Sequence, residues 1–326
     1  MTHVPAQNGI IDVHQHLVPE VFRSMLASVG ISGGAGEELA RWDEQTALAV
    51  MDEYGVRAAV VSYVLSGIEI AAPRFFRTLS RACNEYLADL LARHPTRFGG
   101  FALLPLPDID GTLEEIAYSL DVLKLDGVGM HSNMGGIYPG DRRLAPVFEE
   151  LNRRTAVVHL HPADIPAGRD LRPQWPPYIV EFMFETTRAV ADLVYNGAME
   201  RYPDVAIILS HAGGAVPYLA WRLWTGEFTI TSLNESAPSG VYESLKRFYY
   251  DTAMAANPGA FASLTELVGH DRIVFGSDYP YMPDFAIGEF ARQLGAYPGF
   301  DASAKEAIER DNALRLFPRL GVVQEK

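Results

Sequence analysis

The stretch Ile10-Ile11-Asp12-Val13-His14-Gln15-His16 decides the fold, because an apolar, β-branched run ends there in two histidines. Three later apolar runs each end in one polar side chain, at His161, His211 and Asp278. The parallel strands of a (β/α)8 barrel all finish at one face, and that face carries the active site in enzymes with this fold. Imidazole and carboxylate groups gathered there are typical ligands of a divalent metal ion. The pattern therefore predicts a barrel with a metal centre at its mouth.

Extended apolar segments alternate with helical patterns along the chain, which indicates parallel βα units in one sheet. Eight strands are predicted, with approximate bounds 10–13, 57–64, 98–104, 127–131, 156–161, 205–210, 248–252 and 272–277. The candidate ligands follow the first, fifth, sixth and eighth of these strands. Since no repeat or linker interrupts the order, we expect one α/β domain, a (β/α)8 TIM barrel over residues 1–326.

The first connection is expected to be a glycine-rich loop that leads to a helix over residues 43–54. Gly55 is its expected stop. Apolar residues at three-to-four spacing predict the next helix, which ends before Pro95. The loop glycines are Gly30, Gly33, Gly34 and Gly36.

The bulk composition excludes several classes of protein. The chain has 326 residues, 48% of them hydrophobic, and a formal net charge of −14. Nucleic acid is excluded as a partner, because phosphate binding needs a basic surface. Cys83 is the only cysteine, so no internal disulfide can form. No signal peptide is expected, and the most apolar stretch, residues 58–73, is too short and too interrupted to span a bilayer. We expect a cytoplasmic protein that does not contact membranes.

The histidines of the first and fifth strands differ in how well their positions suit a metal ligand. His14 and His16 lie two residues apart, so both can face the barrel axis and bind one ion. A histidine pair on an exposed strand has the same spacing, and the other strand-end groups favour the metal interpretation. Pro162 ends the fifth strand directly after His161, which makes His161 the better candidate. His159 lies one pleat deeper and is either a supporting or a core histidine.

His211 and Asp278 each precede a turn into a helix, so each could instead be a helix cap. Histidine is a poor cap, and both residues stand at the predicted barrel mouth. At that place Asp278 can bind the metal or exchange protons with a substrate.

Motifs in five places resemble those of a known family: Asp12-Val13-His14-Gln15-His16, His159-Leu160-His161-Pro162, Leu209-Ser210-His211-Ala212-Gly213-Gly214, Phe275-Gly276-Ser277-Asp278-Tyr279-Pro280 and Arg310-Asp311-Asn312-Ala313-Leu314-Arg315-Leu316-Phe317. In this order they resemble the amidohydrolase superfamily, and specifically its metal-dependent decarboxylase branch. That branch includes the 6-methylsalicylate, γ-resorcylate and aminocarboxymuconate-semialdehyde decarboxylases. The resemblance covers essentially the whole chain.

The resemblance implies one divalent ion held by a set of four ligands: His14, His16, His161 and Asp278. It also implies that His211 is the catalytic histidine, with Asp278 as its catalytic partner. Binuclear relatives carry a lysine at the end of the fourth strand, whereas this strand ends Gly129-Met130-His131-Ser132. A single metal is therefore expected, and nitrogen and oxygen ligands suit zinc or manganese.

Arg222 is expected to bind the substrate. In related decarboxylases an arginine in a similar place reaches the neighbouring subunit's site and holds a carboxylate, which implies a homodimer or higher homo-oligomer. A surface arginine is the alternative. The aminocarboxymuconate enzyme also uses an arginine after its second strand, and residues 62–66 have none. The resemblance therefore favours a small aromatic acid over a dicarboxylate.

We expect non-oxidative decarboxylation of an acid with an ortho hydroxyl, such as a salicylate. The ion would chelate the carboxylate and the neighbouring oxygen. Asp278, or a water activated with His211, would deliver the proton to the ring carbon. The alternatives are a metal-dependent hydrolase or hydratase of the same fold, for example a lactonase, and a non-catalytic metal-binding scaffold. Retention of all five polar groups at one mouth disfavours the scaffold.

Overall fold

A computed structural model describes residues 9–34, 37–66, 68, 70, 72–165 and 175–321. Its strands, in chain order, are β1 (Ile10–His16), β2 (Gly33–Gly34), β3 (Glu37–Glu38), β4 (Val56–Ser62), β5 (Phe98–Ala102), β6 (Gly127–His131), β7 (Val157–His161), β8 (Ala206–Leu209), β9 (Tyr249–Asp251) and β10 (Ile273–Val274). β2 and β3 form a short antiparallel pair. The other eight strands form one parallel sheet in chain order, from β1 and β4 through to β10.

Hydrogen bonds between the first and last strands close this sheet into a barrel. The backbone N–H of Val13 donates to the carbonyl of Phe275 at 2.9 Å, and that of Asp278 donates to His14 at 2.8 Å. Gln15 also pairs with Tyr279 in parallel register. The predicted (β/α)8 TIM barrel is therefore confirmed.

The helices of the described residues lie between and after these strands. They are α1 (Glu20–Ser28), α2 (Glu44–Glu53), α3 (Pro73–Arg93), α4 (Ile109–Ala117), α5 (Ala145–Arg153), α6 (Glu181–Tyr195), α7 (Ala198–Arg201), α8 (Val216–Trp224), α9 (Leu233–Ser236), α10 (Val241–Leu245), α11 (Pro258–Leu267), α12 (Phe285–Ala296), α13 (Ala302–Glu306) and α14 (Asn312–Leu316). None of them has both the length and the apolar content that crossing a membrane requires.

The first connection differs from the expectation, because the helix α1 precedes the glycines. Phe22 and Leu26 lie one turn apart on α1, and both are fully buried. Gly33 and Gly34 form β2, and Gly36 lies outside the described residues. The helix that was predicted next, α2, begins as expected, with the side chain of Asp43 accepting a hydrogen bond from the backbone of Thr46.

A compact apolar cluster fills the interior of the barrel below the site. It combines residues from six of the eight barrel strands with the C-terminal segment: Ile11, Val13, Ala58, Val60, Phe101, Val157, Ile208, Val274, Ala313, Phe317 and Leu320. The ring of Phe317 packs edge-on against that of Phe101, with centroids 5.7 Å apart. A larger apolar cluster joins the sheet to the surrounding helices. The polar site therefore lies above a closed, apolar barrel interior.

A local irregularity in β1 decides where the two histidines point. Asp12 pairs with Ala59 and Gln15 with Val61, so β1 has one more residue than β4 over this interval. An extra residue reverses the side-chain alternation of a strand. His14 therefore shares the barrel interior with Val13, its neighbour in sequence.

Candidate metal centre

The structure brings His14, His16, His161 and Asp278 together at the carboxyl-terminal mouth of the barrel. All four are buried, and one potential ligand atom from each lies within 4.8 Å of every other. Nε2 of His14 is 3.1 Å from Nε2 of His16. Nε2 of His16 is in turn 2.8 Å from Oδ1 of Asp278. Donor atoms that share one ion through bonds of about 2.0–2.2 Å lie at comparable separations.

Neighbouring residues set the orientation of His161. Its Nδ1 lies 2.9 Å from the carbonyl oxygen of Pro162, to which it can only donate. This bond leaves Nε2 without a proton and free to bind a metal. The hydroxyl of Ser66 donates to the same carbonyl at 2.5 Å. The short loop after β4 therefore fixes the end of β7.

Asp278 lies in a strained turn that a second carboxylate holds in place. Its φ is +67°, in the left-handed region that few side chains favour. Asp12, fully buried in β1, accepts hydrogen bonds from the backbone N–H of Ser277 at 3.1 Å and from its hydroxyl at 2.5 Å. The amide of Gln15 donates to Asp12 as well. The first strand thus orients the last ligand as well as supplying two of its own.

Gly276 lets β10 approach this cluster closely. A Cβ atom at that position would lie 2.9 Å from the Cβ of His14. Any larger residue would push the last strand away from the first, because real Cβ atoms essentially never come so close.

His211 lies beside the four groups, in the turn that follows β8. Its Nε2 is 3.3 Å from Oδ2 of Asp278, and its ring is buried. Both His211 and Ala212 have positive φ, +56° and +55°. The backbone N–H of His211 donates to Oδ1 of Asp251 at 2.8 Å. Its position at one edge of the cluster suits proton exchange with a bound substrate.

The electrostatics of the cluster favour a cation. Burial, and then the neighbouring His16 and His14, hold the pKa of His161 well below its ordinary value. Burial opposes ionisation of Asp278, but hydrogen bonds from His14, His16 and His211 outweigh it and hold the pKa of the carboxyl well below its usual range. A neutral imidazole and an ionised carboxylate are the forms that bind a metal. The residues present therefore fit a divalent ion.

Asp251 is a site residue that the sequence analysis did not identify. It ends β9, is fully buried, and its Oδ2 lies 2.7 Å from Nδ1 of His14. Burial raises the pKa of Asp251, but the charge and hydrogen bond of His14 outweigh it, so the net shift is downward. The only available sequence signal was an acidic residue near the end of the seventh predicted strand.

His159, whose role the sequence left open, lies beneath the cluster. Its ring stacks on Phe101 with centroids 5.2 Å apart, and its Nε2 is 3.2 Å from the hydroxyl of Ser210. It could form a second cation-binding group with His14 and Asp251. The 2.7 Å contact between those two is a direct hydrogen bond, so His159 is better described as a supporting histidine.

Aromatic and neutral side chains surround the mouth. The ring of Tyr281 lies 5.3 Å from that of His16, and the ring of Phe182 lies 6.4 Å from that of His161. Burial lowers the pKa of His131 to about 4, so this neighbour is neutral. Its Nε2 accepts a hydrogen bond from the backbone of Leu65 at 3.1 Å. A flat aromatic molecule suits such a lining.

Arg222 lies apart from this arrangement, in the last turn of α8, and its side chain is exposed. The same helix exposes 84% of Tyr218 and 65% of Trp221. Trp221 packs edge-on against Trp224, with centroids 4.9 Å apart. A role of Arg222 in substrate binding stays a prediction.

The sequence matches the family described as Amidohydrolase over residues 11–319. The chain belongs to the amidohydrolase family. The resemblance inferred from the five motifs is thereby confirmed.

Two curated relatives of this amidohydrolase are fungal decarboxylases. Decarboxylase yanB of Aspergillus niger is 36% identical over 330 residues, which cover 95% of this chain and 87% of that protein. The 6-methylsalicylic acid decarboxylase of Penicillium expansum is 33% identical over 322 residues, covering 97% of this chain and 98% of that protein.

A solved structure shows the same fold as this amidohydrolase. The 5-carboxyvanillate decarboxylase of Novosphingobium aromaticivorans, solved with manganese and 4-hydroxy-3-methoxy-5-nitrobenzoic acid, superposes with a TM-score of 0.85. The match covers 97% of this chain and 98% of that chain at 21% sequence identity. At this identity the likeness concerns the fold.

Proposed function

We propose that this amidohydrolase is a metal-dependent carboxy-lyase that removes carbon dioxide, without oxidation, from a small aromatic acid. The acid carries a hydroxyl ortho to its carboxylate. The convergence of four buried donor groups beside His211 carries the proposal. The identity of 33–36% to curated decarboxylases supports it further.

His14, His16, His161 and Asp278 are the proposed ligands of one divalent ion, zinc or manganese. Each histidine has its Nδ1 within reach of a local partner: Asp251, the hydroxyl of Ser62 and the carbonyl of Pro162, respectively. Each Nε2 is thereby left for the ion. When bound, a divalent ion stabilises negative charge on the carboxylate and ortho oxygens of a substrate.

The chain itself moves the proton that the reaction needs. The bond between ring and carboxyl carbon breaks, its electron pair stays on the ring carbon, and carbon dioxide departs. The ring carbon must then gain one proton. Because Asp278 is ionised in the free site, this proton must first reach it from the ortho hydroxyl of the substrate or from His211, 3.3 Å away. It then passes to the ring carbon from Asp278 directly or through a water that His211 orients.

The lining of the mouth supports an aromatic substrate. Tyr281 and Phe182 offer ring surfaces close to His16 and His161, and such contacts favour offset or edge-on packing of another ring. Burial, and then the charge of Asp278, raise the pKa of Tyr281 well above its ordinary value. Its phenol therefore stays protonated and can donate a hydrogen bond to a substrate oxygen.

We further propose that the protein is a homodimer or higher homo-oligomer in which Arg222 binds the carboxylate of the substrate in the neighbouring site. The exposed rings of Tyr218 and Trp221 on α8 support this, because such surface is often covered by a partner. The single family match over residues 11–319 supports one domain over residues 1–326. A cytoplasmic location stays a prediction.

A panel of acids tests the proposed reaction. The Mn²⁺-loaded protein is incubated with salicylate, 6-methylsalicylate or 2,6-dihydroxybenzoate, and carbon dioxide and the phenolic product are measured together. We expect equal amounts of the two from at least one acid. Meta- and para-hydroxybenzoate, which lack the neighbouring oxygen, are the matched controls and should release none.

A lactone panel distinguishes the alternative hydrolase. If the metal-loaded protein opens lactones to acids and releases no carbon dioxide from any ortho-hydroxybenzoate, the decarboxylase proposal is wrong. If instead an ortho-hydroxybenzoate releases carbon dioxide and no lactone is opened, hydrolysis is excluded as the main activity.

A further inference from the structure

Asp251 is a buried carboxylate that contacts two parts of the site at once. Its Oδ2 lies 2.7 Å from Nδ1 of His14. Its Oδ1 accepts hydrogen bonds from the backbone N–H groups of His211 at 2.8 Å and Ala253 at 3.0 Å. Each oxygen thus has its own partners, and the carboxylate links the first strand to the turn after β8.

We propose that Asp251 is a positioning residue that fixes the proton of His14 on Nδ1 and holds the backbone of His211 in place. The inference rests on the proposed metal site. It adds a residue outside the ligand set on which both metal binding and placement of the catalytic histidine depend.

The contact with His14 determines which ring nitrogen can bind a metal. An ionised carboxylate can only accept a hydrogen bond, so Nδ1 of His14 must donate. The unprotonated Nε2 then faces the cluster, 3.1 Å from Nε2 of His16 and 3.5 Å from Oδ1 of Asp278. The opposite tautomer would present an N–H to the ion and could not bind it.

The contact with the His211 backbone supports an unusual turn. His211 and Ala212 are consecutive non-glycine residues with φ of +56° and +55°. Such residues persist in the left-handed region only where their surroundings hold them. The hydrogen bond from the backbone of His211 to Oδ1 of Asp251 supplies one such restraint between two buried residues.

Two substitutions separate an effect on the His14 tautomer from a general loss of stability. In Asp251→Asn the amide oxygen must face the N–H groups of His211 and Ala253, because an amide nitrogen there would oppose two donors. The amide NH2 then faces Nδ1 of His14 and forces the proton onto Nε2. Asp251→Ala has no amide NH2 group at this position, so His14 can still keep its proton on Nδ1.

The proposal therefore predicts opposite orders for stability and for metal affinity. Asp251→Ala removes both contacts and leaves a cavity, so it should be the less stable variant in urea. Asp251→Asn should nevertheless bind Mn²⁺ more weakly, with a Kd raised about 10–100-fold over wild type. Free Mn²⁺ is measured by electron paramagnetic resonance while the apo-protein is titrated with MnCl2, without any substrate.

Glu185→Gln is the matched control. Glu185 is also a fully buried carboxylate, held by the side chains of Asn133 at 2.8 Å and Tyr138 at 2.9 Å. The change makes the same replacement of carboxylate by amide away from the proposed ligands, so the Kd for Mn²⁺ should stay near that of wild type. An equal loss of affinity in Glu185→Gln, or tighter binding by Asp251→Asn than by Asp251→Ala, would overturn the proposal.

His16→Ala tests the ligand set separately, and NMR of the wild-type protein tests the tautomer without any change to Asp251. His16→Ala should lose Mn²⁺ if the proposed ligand set is right, so normal binding by His16→Ala would place the failure in the metal site. If the Asp251 variants do not fold, NMR of the Zn²⁺-loaded wild-type protein with ¹⁵N-labelled histidine gives the answer. A protonated Nδ1 of His14, assigned by its loss in His14→Asn, supports the proposal, and a protonated Nε2 contradicts it.

Discussion

Replacing His211 with asparagine should separate catalysis from metal binding. Nε2 of His211 lies 3.3 Å from Oδ2 of Asp278, whereas the four proposed ligands form a group without it. The φ of +56° at this position suits asparagine better than most residues. The backbone N–H that donates to Asp251 is retained. We therefore expect His211→Asn to fold and to keep its bound metal.

Turnover, in contrast, should fall steeply. The variant loses the imidazole that exchanges the proton with Asp278, and a positioned general acid–base contributes about 10²–10⁴-fold. Such a loss in kcat corresponds to roughly 3–5 kcal/mol, since each factor of ten is 1.36 kcal/mol. KM should change little, because the charged groups expected to bind the carboxylate are retained.

The assay combines metal content with the rate of carbon dioxide release at saturating acid and Mn²⁺. His270→Asn is the matched control, because His270 is exposed and lies in the turn before β10, at the opposite end of that strand from Asp278. Its turnover should equal that of the wild-type protein. A metal-loaded His211→Asn protein with near-normal turnover would remove His211 from the mechanism.

Three further outcomes are expected. His16→Ala should lose most of the bound divalent metal, because one of four donors is gone; elemental analysis that finds full occupancy would contradict the ligand set. Asp164→Asn should raise the urea midpoint at neutral pH, because burial and then the charge of Glu185 raise the pKa of the Asp164 carboxyl above its ordinary 3.8. Folding disfavours the ionised form of Asp164, so the wild-type protein is destabilised by this carboxylate above the raised pKa and not well below pH 3.8. A stability difference between the two proteins that persists unchanged in strong acid would refute this cause. Arg222→Ala should raise KM sharply and leave the oligomer intact, and mixing it with His211→Asn chains should restore some activity; a strictly monomeric protein, or no recovery in mixed dimers, would exclude a role across the interface.

The barrel could be predicted because its strands read as separate apolar runs in the correct order. The sequence also identified the four side chains that the structure brings together, since each follows directly on such a run. Their role as ligands stays a prediction, and that of Arg222 does too.

The helix α1 could not be predicted with equal ease. It begins after Pro19 without a side-chain cap, and only Phe22 and Leu26 of its nine residues are buried. Two buried positions make only a weak helical periodicity, and the glycines that follow favour the prediction of a loop.

The extra residue in β1 is another feature that alternation alone does not reveal. Simple alternation puts Val13 and His14 on opposite faces, whereas the register shift lets both reach the interior. The spacing of His14 and His16 predicted that they share a face, and it contained no information on which face Val13 takes.

Asp251 was missed because its importance depends on a contact across 237 positions of sequence. In the sequence Asp251 is a single acidic residue near the end of a short strand, and many barrel strands end in a polar residue. Only the closure of the barrel brings it to His14. Residues that orient a ligand are harder to find from sequence than the ligands, since no local pattern marks them.

Titration of the apo-protein with Mn²⁺, with carbon dioxide release from an ortho-hydroxybenzoate measured at each step, tests whether one bound ion per chain is required for decarboxylation. If one ion at this site is required for decarboxylation, activity is absent without metal, rises in proportion to the metal bound, and stops rising at one ion per chain. Carbon dioxide release that persists after the metal is removed would contradict a metal-dependent mechanism. A fully loaded protein that releases none from any ortho-hydroxybenzoate would contradict the proposed decarboxylation.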